Sequence, residues 1–86
     1  MINNKLLKLP SYGVISNTAD LDNFKSLGEV YVYTGVVPSC NEGYIYCFDS
    51  SINNGVVQLF FAYNGSAKRY RVLNWSTQKW TDWTDL

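Results

Sequence analysis

VVQLFFAYNG, residues 56–65, followed almost at once by KRYRVL, residues 68–73, is the stretch that decides the fold. Apolar side chains occupy both alternations of the first segment. A strand of that kind has both faces covered, so Val56 to Tyr63 is read as the sheet centre. Asn64-Gly65 is a hairpin signal, because both residue types tolerate positive φ. The returning strand then alternates. Lys68, Tyr70 and Val72 face one way; Arg69, Arg71 and Leu73 face the other.

Upstream, Tyr44 to Phe48 places Tyr44, Tyr46 and Phe48 on one face and Ile45 and Cys47 on the opposite one. Asp49 to Gly55 is read as a turn-rich loop, and Gly35 to Glu42 as a loop containing Pro38. Glu29 to Thr34 alternates Val30 and Val32 against Tyr31 and Tyr33. Before it the period is helical. Asp20 is the expected N-cap, accepting from first-turn amides. Ala19 and Phe24 sit as a hydrophobic staple, and Gly28 is the expected left-handed stop. The helix then covers Leu21 to Lys25. Tyr12 to Ile15 is a short first strand, and residues 1–11, broken by Pro10, form an arm. Downstream, Asn74 to Gln78 is a loop and Lys79 to Trp83 the last extended segment. The expectation is an α+β, mostly β domain over residues 12–86. It is a small antiparallel sheet of about five strands, partly rolled, with one short N-terminal helix.

The whole chain narrows the function classes. Its 86 residues make one domain, and a domain of that size buries only about 60–65% of its unfolded surface. Stability then needs help from large side chains or from association. Seven Tyr, four Phe and three Trp supply the first. Seven basic residues balance seven acidic ones, which speaks against an electrostatic nucleic-acid binder and against disorder. There is no histidine, the commonest general base and metal ligand. The two cysteines, Cys40 and Cys47, lack the further ligands of a zinc site and are read as free thiols; a disulfide between them would close only a short loop. No apolar run is long enough to span a membrane. No cofactor is expected.

Several separated features line up along the chain: the start at Asp20-Leu21-Asp22-Asn23-Phe24, Gly28, the Val30-Tyr31-Val32-Tyr33 strand, Gln58 in an apolar strand, Arg71, Asn74, and the closing Trp80-Thr81-Asp82-Trp83. In their order and spacing these resemble the pyocin-knob domains of bacteriophage tail fibres and related contractile tail particles, over residues 12–86. The resemblance implies a small β-rich knob, usually a homotrimer, carried on a virion, in contact with other virion proteins and often used to meet a host-surface glycan. It marks Leu21, Phe24, Gly28, Tyr31, Gln58, Arg71, Trp80 and Trp83 as structural signature positions. One departure is that the family domain usually follows a long shaft, whereas this chain opens at Met1 with a short arm. That leaves an excised domain or a short independent virion protein, in the tail or on the capsid, as readings.

The residues themselves leave alternatives. All three tryptophans lie in the last twelve positions. Trp80 and Trp83, three apart, face opposite sides of an unbroken strand; a bulge or turn at Thr81-Asp82 brings both to one side. They are read as closing the core. Trp75, beside a polar loop, is the ring expected to contact a receptor or partner, together with Tyr44, Tyr46, Tyr63 and Arg69. Gln58, if buried, needs partners, and Arg71 is the neighbour expected to supply one. Arg69 and Arg71 can pair with Asp20 or Asp22 or bind acidic sugars. No carboxylate pair is singled out for glycoside hydrolysis. The expectation is therefore a non-enzymatic virion module, with a monomeric carbohydrate-binding module as the alternative and a glycosidase fragment third.

Overall fold

The computed structural model describes residues 9–50 and 55–86. Its elements are β1 (Ser11–Ile15), α1 (Thr18–Asp22), β2 (Gly28–Val32), β3 (Gly43–Asp49), β4 (Val56–Ala62), β5 (Lys68–Asn74), β6 (Lys79–Trp80) and β7 (Thr84–Asp85). They build one sheet in the order β1-β2-β3-β4-β5-β6, with β7 also paired to β5. The protein is thus mostly β, with almost no helix.

The sheet is mixed rather than antiparallel. β1 runs parallel to β2, while β2 to β7 pair antiparallel. The reason is the position of α1: it carries the chain across between β1 and β2, so β2 enters in the same direction as β1. The register slips between Ser11 and Val14, which leaves an extra residue in β1. Gly13, at φ +85°, takes the backbone conformation of that bulge. The expected arm lies largely outside the described residues, but its end already belongs to the sheet. The Pro10 carbonyl accepts from the Glu29 amide at 2.8 Å. Positions 51–54 of the expected loop after Asp49 also lie outside them.

The helix starts earlier than its pattern suggested. Asn17 is the N-cap, not Asp20. Its Oδ1 accepts from the Asp20 amide at 2.8 Å, and its Nδ2 donates to the Asp20 carboxylate at 3.0 Å. Asp20 therefore sits at the third helical position, where its amide and carboxylate both meet the Asn17 side chain, rather than serving as the cap. The helix is Thr18–Asp22, and Ala19 is exposed rather than stapled to Phe24. Gly28 does not end the helix either; Asn23 is the C-cap. Gly28 opens β2 at φ +150°, where an added Cβ would meet Tyr12 Cε2 at 2.5 Å and the Pro10 carbonyl at 2.6 Å.

The 56–73 hairpin pairs as expected, Val56 to Phe61 against Leu73 to Lys68, but its turn is longer than two residues. Only Gly65 takes positive φ, at +76°. Asn64 instead accepts from the Ser66 amide through its side chain, at 3.0 Å. Of the expected final strand, 79–83, only Lys79–Trp80 pairs, and a further short strand follows at Thr84–Asp85. Thr81 still donates its amide to the Val72 carbonyl at 2.8 Å, but its Oγ1, in place of its carbonyl, accepts from the Val72 amide at 2.9 Å, and the ladder ends there. That break is what allows Trp80 and Trp83 to turn to the same side.

Cross-strand register sorts the two sheet faces. Val30, Ile45 and Phe60 form one inner row, and Gly28, Cys47, Gln58 and Arg71 the next. The helix residues Leu21 and Phe24 and the loop residues Val36, Val37 and Cys40 are buried with them, and Trp80 and Trp83 pack against this core. Cys40 and Cys47 are buried free thiols. Every fully buried strand side chain is on this one face.

Candidate functional site

A helix of five residues cannot satisfy its own C-terminal carbonyls. Here the sheet does so. Gln58 on β4 is wholly buried, and its Nε2 donates to the carbonyls of Leu21 and Phe24, each at 2.9 Å. Trp80 Nε1 donates to the Asp22 carbonyl at 3.0 Å, and the Cys47 thiol to that of Phe24 at 3.6 Å. Burial pushes the Cys47 thiol up to about 11.

Arg71 completes the arrangement. Its Nε donates to Gln58 Oε1 at 2.8 Å, and its Nη1 pairs with the Asp22 carboxylate at 2.8 Å. The guanidinium carbon lies 4.2 Å from the Trp80 ring centroid and 4.7 Å from that of Trp83. Arg71 Nη2 is buried with no hydrogen-bond partner; the π faces of the two indoles supply the negative potential it faces. Burial lowers the pKa of this guanidinium, and the bond to Asp22 opposes that shift. Leu21, Phe24, Gln58, Arg71, Trp80 and Trp83 are therefore one cluster, which docks the helix and the C-terminal segment on the sheet.

Beside this cluster lies a groove of about 670 Å³. Thr18, Asp22 and Asn23 from α1 and its cap line it, as do Lys25, Pro38, Arg69, Arg71 and the segment from Gln78 to Trp83. Four of its six charged side chains are basic. Arg69 is held there by Asp85 at 3.0 Å and by the Pro38 carbonyl at 3.1 Å.

The opposite face of the sheet is a second feature. Val14, Tyr31, Tyr44, Phe61 and Lys68 form one row. Glu29, Tyr46, Leu59 and Tyr70 form the next, and Phe48, Val57 and Val72 a third. All are half-buried or exposed, and Tyr44 and Phe48 keep 44% and 42% of their surface. Tyr31 and Tyr44 meet edge to face at 5.3 Å, as do Tyr46 and Phe61 at 6.0 Å. Tyr31 also donates its hydroxyl hydrogen to the Glu42 carboxylate, which holds the phenol up at about 12.

The five residues expected to contact a partner thus fall in separate places. Tyr44 and Tyr46 are on the open face. Arg69 lines the groove. Tyr63 is exposed just past β4, and Trp75 lies half exposed in the β5–β6 loop, beside a smaller crevice with Lys25, Asp49, Ser50 and Val56. Leu59 and Phe61 were missed as surface residues, because an apolar run at the sheet centre reads as covered on both sides. Lys25, Lys79 and Asn23 were missed because no local pattern joins them. Among the described residues no group of three or more His, Cys, Asp or Glu could hold a metal, and no helix is long and apolar enough to cross a membrane. No family model matches the chain, nor does any curated protein or solved structure.

Proposed function

We propose that this chain is a non-enzymatic bacteriophage virion module of the pyocin-knob kind, a fibre or decoration knob that works as a homotrimer. Its role is host-surface attachment or particle structure. The observation that carries the reading is the open sheet face. Four strands spaced about 4.8 Å apart, with about six residues each at about 3.3 Å, project about 400 Å² of largely aromatic and aliphatic surface. A patch of that size is at the level at which a monomer's largest apolar patch is usually an interaction site. Association between copies removes it from water without a second layer of secondary structure. The resemblance of the Leu21–Trp83 signature supports the virion setting, and six of its eight positions, Leu21, Phe24, Gln58, Arg71, Trp80 and Trp83, meet in one cluster, while Tyr31 lies on the open face.

The test is the solution mass at micromolar concentration by sedimentation equilibrium. The expected mass is three times the 9.8 kDa chain, and Tyr46→Lys with Leu59→Lys reduces it to monomer without loss of the sheet signal. A wild-type chain that stays monomeric sinks the reading. The groove favours the second reading, a monomeric carbohydrate-binding module, which such a mass would leave standing.

A further inference from the structure

We infer that the groove between α1 and the β6 segment is a binding site for an acidic saccharide, a sugar carrying a carboxylate, sulfate or phosphate. This goes beyond the association reading above, which the open sheet face carries, and stands or falls separately from it. The charge distribution is the first argument. The chain as a whole has no net charge, yet the groove holds Lys25, Arg69, Arg71 and Lys79 against Asp22 and Asp82. Arg71 is committed to Asp22, and Arg69 to Asp85 from outside the groove lining. Lys25 and Lys79 make no ion pair among the described residues and are exposed. Two uncommitted ammonium groups, one from the segment after α1 and one from β6, therefore border one concavity, with Asp82 the one unpaired carboxylate in its lining.

The second argument is Trp80. Its indole N–H is already given to the Asp22 carbonyl, which fixes the ring. One side of the ring carries the Arg71 guanidinium at 4.2 Å, and the half-buried remainder that lines the groove is apolar surface suited to the C–H face of a pyranose. Asn23 adds a side-chain amide with no hydrogen bond among the described residues. An open concavity with one apolar plate, a neutral amide and two free cations matches a hydroxylated ring with an anionic group. It does not match a purely apolar ligand, which needs a mostly apolar enclosed pocket. A nucleic-acid strand needs a continuous basic track with several stacking rings, which this groove lacks.

The experiment titrates the full chain at low salt, by tryptophan fluorescence and calorimetry. The probes are oligogalacturonate, its neutral methyl ester, a sulfated and a phosphorylated oligosaccharide, and oligo-dT. The expected result is saturable binding of at least one acidic saccharide, with its neutral counterpart and oligo-dT at least about tenfold weaker. A Lys25→Ala/Lys79→Ala variant loses about tenfold in affinity at unchanged melting temperature and mass. Equal binding of acid and ester, tighter binding of oligo-dT, or an unaffected double variant overturns the site. So does the absence of binding by every acidic saccharide up to about 10 mM. Sedimentation of the same samples separates the two proposals. A trimer that binds none of them loses only the groove, and a monomer that binds loses only the association.

Discussion

Replacing Gln58 by leucine tests the idea that one amide fastens the helix to the sheet. Leucine has nearly the same shape, so the change removes polarity rather than volume. It deletes the two bonds to the Leu21 and Phe24 carbonyls and the bond from Arg71 Nε. The Phe24 carbonyl keeps the Cys47 thiol and the Leu21 carbonyl keeps the Phe24 amide at 3.1 Å, so the severe loss is the guanidinium N–H. Orphaned buried groups cost about 1–3 kcal/mol each, and charged ones more. Burying the leucine side chain in place of an amide returns about 1 kcal/mol. The expected net loss is about 2 kcal/mol. At about 0.05–0.15 kcal/mol per residue, an entire domain of this size has only about 4–13 kcal/mol. The melting temperature then falls by about 8–16 °C. Urea unfolding followed by tryptophan emission reads the change, since Trp80 and Trp83 lie over Arg71. Gln58→Glu adds a sign check. Full burial and the two carbonyls that its new oxygen faces raise its folded pKa against the lowering pull of Arg71 on the other oxygen. The variant should regain stability as pH falls towards about 5, where the carboxyl becomes a donor again. A Gln58→Leu protein within about 1 kcal/mol of wild type would refute the fastening argument.

Arg71→Lys keeps the charge but cannot hold Gln58, Asp22 and two indoles at once. We expect a loss of about 2 kcal/mol in urea unfolding and a red-shifted tryptophan emission, and a wild-type profile would count against the stack. Gly28→Ala places a methyl against Tyr12 and Pro10 at a positive φ; it should cost about 2–3 kcal/mol, and thermal melting decides. Tyr31, raised from 10.0 to about 12, and Cys47, raised from 9.0 to about 11, are both acids held neutral by the fold. Their contribution is intact below pH 9 and is lost as pH rises through the window from 9 to 12. Urea midpoints should fall across that window, and less steeply in Tyr31→Phe. An alkaline limb identical in that variant would remove Tyr31 from the account.

The alternation of residues 29–34, 44–48 and 68–73 was legible in sequence, because a two-residue period reports which side chains share a face whatever the partner strand is; that of β4 was not, since its apolar residues occupy both alternations. The composition likewise announced a domain short of ways to cover its aromatics. Three further things were not legible. The parallel pairing of β1 depends on where α1 delivers the chain, and the bulge at Gly13 depends on the neighbour it pairs with. The capping of Leu21, Asp22 and Phe24 by Gln58 and Trp80 joins positions more than thirty residues apart, so no local rule contains it. The sequence by itself determined the strands, the inner and outer alternation and the excess of rings at the C-terminus. Only the tertiary structure decided that Trp80 and Trp83 share Arg71 as their common contact, that an apolar central strand has one open face, and that Lys25 and Lys79 border one groove. Periodicity is a property of the chain, whereas burial and convergence are properties of what the chain is folded against.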